Sequence, residues 1–319
     1  MQIVLAQPRG FCAGVVRAIA IVERALERCG APVYVFHEIV HNGHVVADLK
    51  ARGVVFVDDI AAIPSGATTV FSAHGVADAV VRQARARGLS VIDATCPLVA
   101  KVHQRAQRYA RLGFEIVIVG HRGHEEVEGT MGSVEAPVHL VATIDEARRL
   151  ALPPDARVAY VTQTTLSLDD TREIIGELRR RFPAIEGPEL DDICYATQNR
   201  QNAVRQISAE VDRVLVVGAR NSSNSNRLRE VAEQLGVPAR LIQCAAEIEP
   251  EWLRGAQAVG VTAGASAPEL LVRDVCARLT SLGATSLRVV AGPVEQVNFR
   301  LPASLASTEP RDERLHVAA

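Results

Sequence analysis

Short apolar runs rich in β-branched residues alternate along the chain with longer amphipathic stretches. Runs of this kind are typical of buried strands, and the clearest are QIVLA (2–6), PVYVF (32–36), VVFV (54–57), TTVFS (68–72), EIVIVG (115–120), RVAYVT (157–162), RVLVVG (213–218) and AVGVTA (258–263). The stretches at 15–30, 77–88 and 225–236 have helical character, and Gly30 and Gly236 are suited to end two of these helices. Alternating strands and helices predict parallel sheets joined by right-handed crossovers, which is an α/β fold.

Three cysteines share one sequence context, in which an extended lead-in is followed by a turn and then by a helical stretch. The segments are GFCAGVVRA, DATCPLVAK and DDICYATQNR, and their cysteines are Cys12, Cys96 and Cys194, spaced by 84 and 98 residues. Pro97 suits the first position of the helix after Cys96, so that cysteine lies at the mouth of a strand-to-helix turn. The repetition predicts three similar α/β units whose cysteines converge, with chance similarity in an Ala/Val-rich chain as the alternative.

We expect the three units to span 1–96, 97–193 and 194–302, and the N-terminal strand is free to pair outside the first unit. Units of this size are smaller than the usual domain and need to pack on one another. The last segment, 303–319, has the composition of a flexible tail.

The composition is that of an ordinary globular protein. Of the 319 residues, 48% are hydrophobic and 23% are charged, and the net charge of −2 gives no electrostatic reason to expect nucleic acid or an anionic membrane as a partner. The longest apolar runs are far shorter than the roughly 20 residues of a membrane helix, and the N-terminus enters a strand without a secretory signal. Six cysteines without a C-x-x-C pair argue against a disulfide scaffold, a zinc ribbon and thioredoxin-type chemistry, so we expect a cytoplasmic protein.

Histidines and small polar residues follow the strand candidates at their carboxyl ends. His74 follows TTVFS, His124 and Glu126 follow EIVIVG, and the segments QTT, NSSNSN and GASAP follow the next three strand candidates. Each segment alone could be a turn. Because ligands bind at the carboxyl ends of parallel strands in open α/β sheets, the five segments together predict one polar site.

The segment NSSNSN (221–226) opens a predicted helix. A single serine or asparagine commonly caps a helix, but six small polar residues in a row exceed what a cap requires. The N–H groups at a helix start suit a phosphate or diphosphate. The sequence contains neither G-x-x-x-x-G-K-[ST] nor G-x-G-x-x-G, which are typical of ATPases and dinucleotide-binding proteins, so the segment favours an anion site of another kind.

The segment HEIVH (37–41) matches the H-E-x-x-H motif of zinc proteases, which requires a helix. It follows PVYVF and has strand character itself, so we expect His37 and His41 to lie roughly 13 Å apart, too far to share one zinc ion. We interpret His41, at the strand exit, as a site candidate and His37 as structural.

Nine motifs resemble, in the same order, those of the 4-hydroxy-3-methylbut-2-enyl diphosphate reductases, the LytB family, which catalyse the last step of the non-mevalonate isoprenoid pathway. They are PRGFCAGV, HEIVHN, FSAHGV, DATCPLV, EVEGTMG, TQTTLS, DDICYAT, NSSNSNRL and TAGASAP, and they cover residues 1 to about 300. The resemblance implies a trefoil of three α/β units around a [4Fe–4S] cluster held by Cys12, Cys96 and Cys194. Three thiolates for four irons would leave one iron free to act as a Lewis acid. The cysteines that match no ligand motif are interpreted as core residues: Cys29, Cys244 and Cys276.

The resemblance also implies the reaction and the residues that perform it. The expected reaction is the two-electron, two-proton reductive dehydroxylation of (E)-4-hydroxy-3-methylbut-2-enyl diphosphate to isopentenyl and dimethylallyl diphosphate, with electrons from an external carrier of the ferredoxin or flavodoxin type. The implied catalytic residues are Glu126, the proton donor, Thr164, which orients the substrate hydroxyl, and His124. The implied substrate-binding residues are His41, His74, His124, Thr164, Thr165, Ser222, Ser223, Asn224 and Ser266.

One position departs from the pattern of the family. Many relatives carry proline directly after the second histidine of the H-x-x-H stretch, whereas this chain has Glu125. Two adjacent buried carboxylates would perturb each other's pKa, but we expect Glu125 to point to solvent. The assignment of the acid to Glu126 depends on register within EEVEG, and Glu128 is a further candidate; away from this context Glu126 would be read as a solvated loop carboxylate.

Two other functions are compatible with the same residues. An iron–sulfur hydro-lyase would also use an open iron, but it would work without an electron donor. A phosphometabolite-binding protein with structural cysteines would bind diphosphates while containing no iron.

Overall fold

The computed structural model describes residues 1–188 and 192–305. The strands in this part of the chain are β1 (Gln2–Leu5), β2 (Val33–Phe36), β3 (Val54–Val57), β4 (Thr68–Phe71), β5 (Ser90–Asp93), β6 (Glu115–Val119), β7 (Val138–Val141), β8 (Val158–Thr162), β9 (Arg213–Val217), β10 (Ala239–Ile242), β11 (Ala258–Ala263) and β12 (Ser286–Val289). The α-helices are α1 (Ala13–Cys29), α2 (Gly43–Ala51), α3 (Asp78–Ala86), α4 (Pro97–Arg111), α5 (Glu125–Gly132), α6 (Ile144–Arg149), α7 (Leu168–Arg181), α8 (Tyr195–Ser208), α9 (Ser223–Gln234) and α10 (Glu269–Ser281).

The strands form three separate sheets, and every strand pair in them is parallel. The strand orders are β3-β2-β4-β5, β7-β6-β8 and β10-β9-β11-β1-β12. Parallel strands need crossover connections, and helices supply most of them here. The predicted α/β class with three small parallel sheets is confirmed.

The first strand belongs to the sheet that is otherwise built from the C-terminal part of the chain. β1 lies between β11 and β12, with Gln2 in register with Ala258 on one side and Ser286 on the other. Its side chains alternate between two core clusters, with Ile3 in one and Val4 in the other. This sheet is therefore covered by apolar layers on both faces, as parallel sheets require. The proposed division of the chain at 96 and 193 stays a prediction.

Three helices connect the sheets in a cycle. α1 leaves the five-stranded sheet after β1 but shares its buried cluster with β2 and β4. α4 leaves the four-stranded sheet after β5 and shares its cluster with β6 and β8. α8 follows the three-stranded sheet and α7, and it packs with β1 and β9. Each helix therefore begins where two sheets meet, so the three helix N-termini lie at the centre of the molecule.

The chain after β12 runs back over the first core cluster. Leu301 packs against this cluster and Leu305 is buried within it, with 6% of its surface exposed. Arg17 and Arg28 of α1 donate hydrogen bonds to the carbonyl oxygens of Arg300 and Ser304. Packing therefore continues to Leu305, past the start of the predicted tail at 303. The rest of that predicted tail, 306–319, lies outside the described residues.

None of the helices in the described ranges combines the length and the apolar character needed to cross a lipid bilayer.

Candidate active site

A cavity of roughly 680 Å³, including its open mouth, lies where the three sheets meet. All of the site residues predicted from the sequence line it, and they are Cys12, His41, His74, Cys96, His124, Glu126, Thr164, Thr165, Cys194, Ser222, Ser223, Asn224 and Ser266. The structure therefore brings together side chains that come from all three sheets.

Each of the three cysteines occupies the same local position. Cys12, Cys96 and Cys194 are the residues that directly precede α1, α4 and α8, and none of them caps its helix through the side chain. Their backbone N–H groups donate to the carbonyl oxygens of Ala265 (3.1 Å), Ala73 (2.9 Å) and Thr164 (3.0 Å), respectively. Each acceptor lies two residues beyond the end of a strand, namely β11, β4 or β8. One backbone contact, repeated three times, therefore fixes all three cysteines.

The three cysteines are half-buried in the cavity wall. An ideal Cβ on Gly14 would lie 2.8 Å from the Sγ of Cys96 and 3.7 Å from the Sγ of Cys12, so both sulfur atoms face the same glycine. Burial, with a contribution from the neighbouring cysteines, raises the pKa of Cys96 to about 12 and that of Cys194 to about 11. These thiols are protonated at neutral pH unless a bound cation stabilises the thiolate. Three converging sulfur donors fit an iron–sulfur cluster.

Glu126 is buried in the cavity wall, with 2% of its surface exposed. Its Oε1 accepts a hydrogen bond from the backbone N–H of Thr164 (2.6 Å), and its Oε2 accepts one from the Thr164 hydroxyl (3.0 Å). Burial raises the pKa of Glu126 to about 7, although the two hydrogen bonds from Thr164 favour the charged form. A carboxyl group with this pKa can hold and release a proton near neutral pH. Glu128, the alternative acid, is exposed and does not line the cavity.

Three histidine rings form one side of the cavity. His41 and His74 are stacked with their ring centroids 4.1 Å apart, and His124 meets both rings edge-on at 5.7 and 6.0 Å. The Nδ1 of His124 accepts a hydrogen bond from the backbone N–H of Glu126 (3.2 Å), so its ring proton is on Nε2. Burial lowers the pKa of His124 to about 3 and also lowers that of His74.

The segment NSSNSN contributes to both packing and the cavity. The Ser222 hydroxyl accepts a hydrogen bond from the backbone N–H of Ser225, so it caps α9. The Asn224 side chain accepts from the N–H of Ala265 and donates to the hydroxyl of Thr197. These side chains therefore anchor loops, and they also line the cavity beside the N-terminus of α9. Anion binding by the segment stays a prediction.

A second polar network joins the loops after β8 and β9. The hydroxyl groups of Thr165 and Ser223 are 3.0 Å apart, and the Gln163 amide donates to both. Ser266, after β11, donates to the carbonyl oxygen of His41. These contacts hold hydroxyl groups from different sheets at fixed places in the cavity wall.

The expectation that Glu125 points to solvent is wrong. Its side chain is 25% exposed, and its Oε2 lies 2.8 Å from the Nδ1 of His74. Burial disfavours the charged carboxylate, but the nearby His74 and His41 outweigh this effect and lower the pKa of Glu125 to about 2. The side chain turns inward because Glu125 is the first residue of α5, whose N-terminus faces the histidines. His41, His74 and Glu125 each offer one ligand atom within 4.8 Å of the other two, a spacing that could hold a metal ion.

The expectation that HEIVH continues the strand is also wrong. β2 ends at Phe36, and His37 has a positive φ of 61°, so the following residues bend away from the sheet. His41 lines the cavity, whereas His37 lies outside it beside Asp58, 3.4 Å away. The segment forms no helix, so the arrangement of a zinc protease is absent from this part of the described chain.

Some residues of the site were missed by sequence reasoning. Thr197 lies one helical turn after Cys194, and its hydroxyl is 3.2 Å from the sulfur of that cysteine. Glu38 and Asn221 contact the Nδ1 of His41, each at 3.3 Å. A spacing of three residues could have indicated Thr197 from Cys194 and Glu38 from His41, whereas Asn221 comes from a separate loop.

Comparisons with known proteins give one consistent result. Residues 3–280 match the family model described as LytB protein. The chain is 58% identical over 308 residues to 4-hydroxy-3-methylbut-2-enyl diphosphate reductase 2 of Bradyrhizobium diazoefficiens, covering 97% of this chain and 100% of the relative. It is also similar to the solved structure of the E-1-hydroxy-2-methyl-but-2-enyl-4-diphosphate reductase from Plasmodium falciparum, with a TM-score of 0.92, 36% identity and 96% of each chain covered. A second solved structure, titled as (E)-4-hydroxy-3-methyl-but-2-enyl diphosphate reductase, the terminal enzyme of the non-mevalonate pathway, gives a TM-score of 0.63 at 34% identity and covers 88% of this chain and 99% of that chain.

Proposed function

Because the chain belongs to the LytB protein family, we propose that it is the reductase that converts (E)-4-hydroxy-3-methylbut-2-enyl diphosphate to isopentenyl and dimethylallyl diphosphate. The observation that carries the proposal is the meeting of Cys12, Cys96 and Cys194 with the buried acid Glu126 in one cavity. The family resemblance found in the sequence is confirmed by the comparisons, whereas the roles of individual residues are part of the proposal.

We assign the three cysteines to a [4Fe–4S] cluster. Such a cluster, held by these three thiolates, would pass electrons to the substrate and would offer one iron without a protein ligand as a Lewis acid for the substrate hydroxyl. The fit is supported by the repeated backbone contact that fixes each cysteine and by the position of the Cys12 and Cys96 sulfur atoms beside the same glycine, Gly14. Cys29, Cys244 and Cys276 do not line this cavity.

The polar wall of the cavity suits the diphosphate. The N-terminus of α9 brings backbone N–H groups and the hydroxyl groups of Ser222 and Ser223 to one side. A helix N-terminus binds anions through its N–H groups and its dipole. His41 and His74 on another wall provide ring nitrogens that donate to phosphate oxygens. We therefore expect the diphosphate between α9 and the stacked histidines.

Glu126 and Thr164 suit the proton transfer. Glu126 holds a proton near neutral pH, and the Thr164 hydroxyl, which donates to its Oε2, is placed to orient the hydroxyl of the substrate. The proton of Glu126 passes to this hydroxyl, which leaves as water, and a second proton and two electrons complete the allylic product. The electrons come from an external carrier, for which we expect a ferredoxin or flavodoxin.

The free state of all six cysteines agrees with a reducing compartment, and we expect the cytoplasm.

Anaerobic purification followed by metal and turnover measurements tests this function. We expect about four irons and four sulfides per chain, loss of iron in Cys96→Ser, and retained iron with greatly reduced turnover in Glu126→Gln. Glu128→Gln, a change of an exposed carboxylate on the same helix, is the matched control and should retain both. An iron-free protein that binds diphosphates would contradict the reductase, and product formation without an electron donor would indicate a hydro-lyase instead.

A further inference from the structure

Glu125 places a carboxylate beside two histidines that have other proposed roles. Its Oε2 is 2.8 Å from the Nδ1 of His74, and the rings of His74 and His41 are stacked at 4.1 Å. One ligand atom from each of these three residues lies within 4.8 Å of the other two. Two ligands that bind one ion at about 2.1 Å lie roughly 3 to 3.5 Å apart, so side-chain rotations suffice to bring all three to a common ion.

An ion pair alone does not account for the position of the Glu125 carboxylate. Oε2 is buried, but it has no hydrogen-bond partner of acceptable geometry among the described residues. The Nδ1 of His74 lies 2.8 Å from this oxygen, and its interaction with the carboxyl group helps to lower the pKa of Glu125. A buried carboxylate oxygen normally has a hydrogen-bond partner or binds a metal. The carboxylate and the imidazole therefore present two potential ligand atoms to the same part of the cavity.

His41 has the outer contacts of a metal ligand. Its Nδ1 lies 3.3 Å from the Oε2 of Glu38, which is itself held at 3.0 Å by the side-chain amide of Asn221. Histidines that bind metals usually donate their second ring N–H to a carboxylate, which fixes the ring orientation and leaves the other nitrogen as the ligand. The contact with Glu38 leaves Nε2 of His41 for this role.

We propose that His41, His74 and Glu125 bind a divalent transition-metal ion. Two imidazoles and one carboxylate with open coordination positions suit ions such as Zn²⁺, Fe²⁺ and Co²⁺ better than Mg²⁺ or Ca²⁺, which prefer oxygen ligands. The proposed reaction assigns no role to Glu125, so the site is separate from that reaction. It lies in the same cavity as the three cysteines but shares no ligand with them.

Metal binding here has a consequence that rests on the proposed function. His41 and His74 are also the imidazoles proposed for the diphosphate, so the ion and the substrate compete for them. Zn²⁺ should therefore raise the KM for the diphosphate substrate and leave kcat nearly unchanged. The same addition should affect Glu125→Gln much less.

The direct test measures zinc binding by the anaerobic, cluster-loaded protein, in which the three cavity cysteines are occupied. Equilibrium dialysis against Zn²⁺ is compared among the wild type, Glu125→Gln, Glu125→Pro and the control Glu128→Gln. We expect the wild type and the control to bind one more zinc ion per chain than the two Glu125 variants, whose affinity at this site should fall at least about tenfold. Background binding by the remaining cysteines is the same in all four proteins and cancels.

Equal zinc stoichiometry and affinity in all four proteins would overturn the metal site. Glu125→Pro guards against a folding artefact, because proline is well tolerated at the first position of a helix. The binding measurement needs no substrate and no turnover. It therefore decides the metal site even if the proposed reductase activity fails, and the effect of Zn²⁺ on KM is a separate result.

Discussion

Replacing Glu126 by glutamine should stabilise the protein above neutral pH while it greatly reduces turnover. Burial raises the pKa of this carboxyl group from 4.5 to about 7. In the unfolded chain the group ionises near its ordinary pKa, so between these two pH values the folded state holds a proton that the unfolded state has lost. The free energy of unfolding therefore falls as the pH rises through this interval. A difference of this size corresponds to about 3 kcal/mol.

Glutamine has the shape of the protonated acid and cannot ionise. Its side-chain oxygen can accept from the N–H of Thr164, and its amide can donate to the Thr164 hydroxyl, so the local contacts are retained. The variant should be close to the wild type in stability at pH 5. At pH 8 its free energy of unfolding should exceed that of the wild type by up to about 3 kcal/mol.

Urea denaturation at pH 5 and pH 8 measures this effect on the metal-free protein, kept anaerobic with reduced thiols. The informative quantity is the change with pH in the stability difference between the two proteins. Asp192, His41 and Cys194 interact electrostatically with Glu126, but they are present in both proteins and cancel to first order. Glu128→Gln should show no such change with pH, because its carboxylate is exposed.

A stability difference that does not change with pH would refute the reasoning, because it would mean that burial does not raise the pKa of Glu126. A variant that becomes less stable than the wild type at pH 8 would show that the hydrogen bonds from Thr164 outweigh burial and keep the carboxylate ionised. In that case Glu126 could not supply the proton at neutral pH.

Three further predictions concern the cavity wall and the proposed iron–sulfur cluster. Gly14→Ala should lower the iron content of the purified protein, because the added Cβ would lie 2.8 Å from the Sγ of Cys96, whereas Gly176→Ala, which meets nothing within 4 Å, should not. Equal iron in both variants would show that the cysteine moves aside without loss of metal. Thr164→Val removes one hydrogen bond to Glu126, worth about 1 to 2 kcal/mol. This variant should lower kcat roughly tenfold or more while the iron content stays constant. An unchanged kcat would show that the Thr164 hydroxyl has no part in the mechanism. Anaerobic removal of the metal by a chelator should lower the unfolding temperature by several degrees, since a tightly bound ligand contributes about 4 kcal/mol to the free energy of unfolding. An unchanged unfolding temperature would argue against a cluster in this cavity.

The site was largely predictable because parallel strands end at the same edge of their sheet. His74, Glu126 and Thr164 follow β4, β6 and β8, and a reader of the sequence can recognise each as a polar residue after an apolar run. The strands that were not predicted lack a clear apolar run. β12, for example, is exposed along its whole length at the edge of its sheet, so its sequence carries no burial pattern.

The direction of the Glu125 side chain could not be read from the sequence, since it depends on a distant partner. Position 125 begins a helix, where a carboxylate is favoured whether it faces solvent or the interior. His74, which draws it inward, arrives from another sheet. The end of β2 was similarly hidden, because PVYVF and HEIVH have comparable local preferences for a strand. The pairing of β2 with β3 ends at Val57, whose carbonyl oxygen accepts a hydrogen bond from the N–H of His37, and the chain turns there.

The cyclic connection of the sheets explains how cysteines so far apart in the sequence reach one point. α1, α4 and α8 each leave one sheet and pack on the next, and the cysteines that precede their N-termini line one cavity. The residue before each helix is held by the loop after a strand, through the N–H of the cysteine. A cysteine at this position is therefore placed by backbone contacts that hardly depend on its own side chain. Binding of the proposed cluster by these sulfur atoms would therefore leave the backbone contacts of the three cysteines in place.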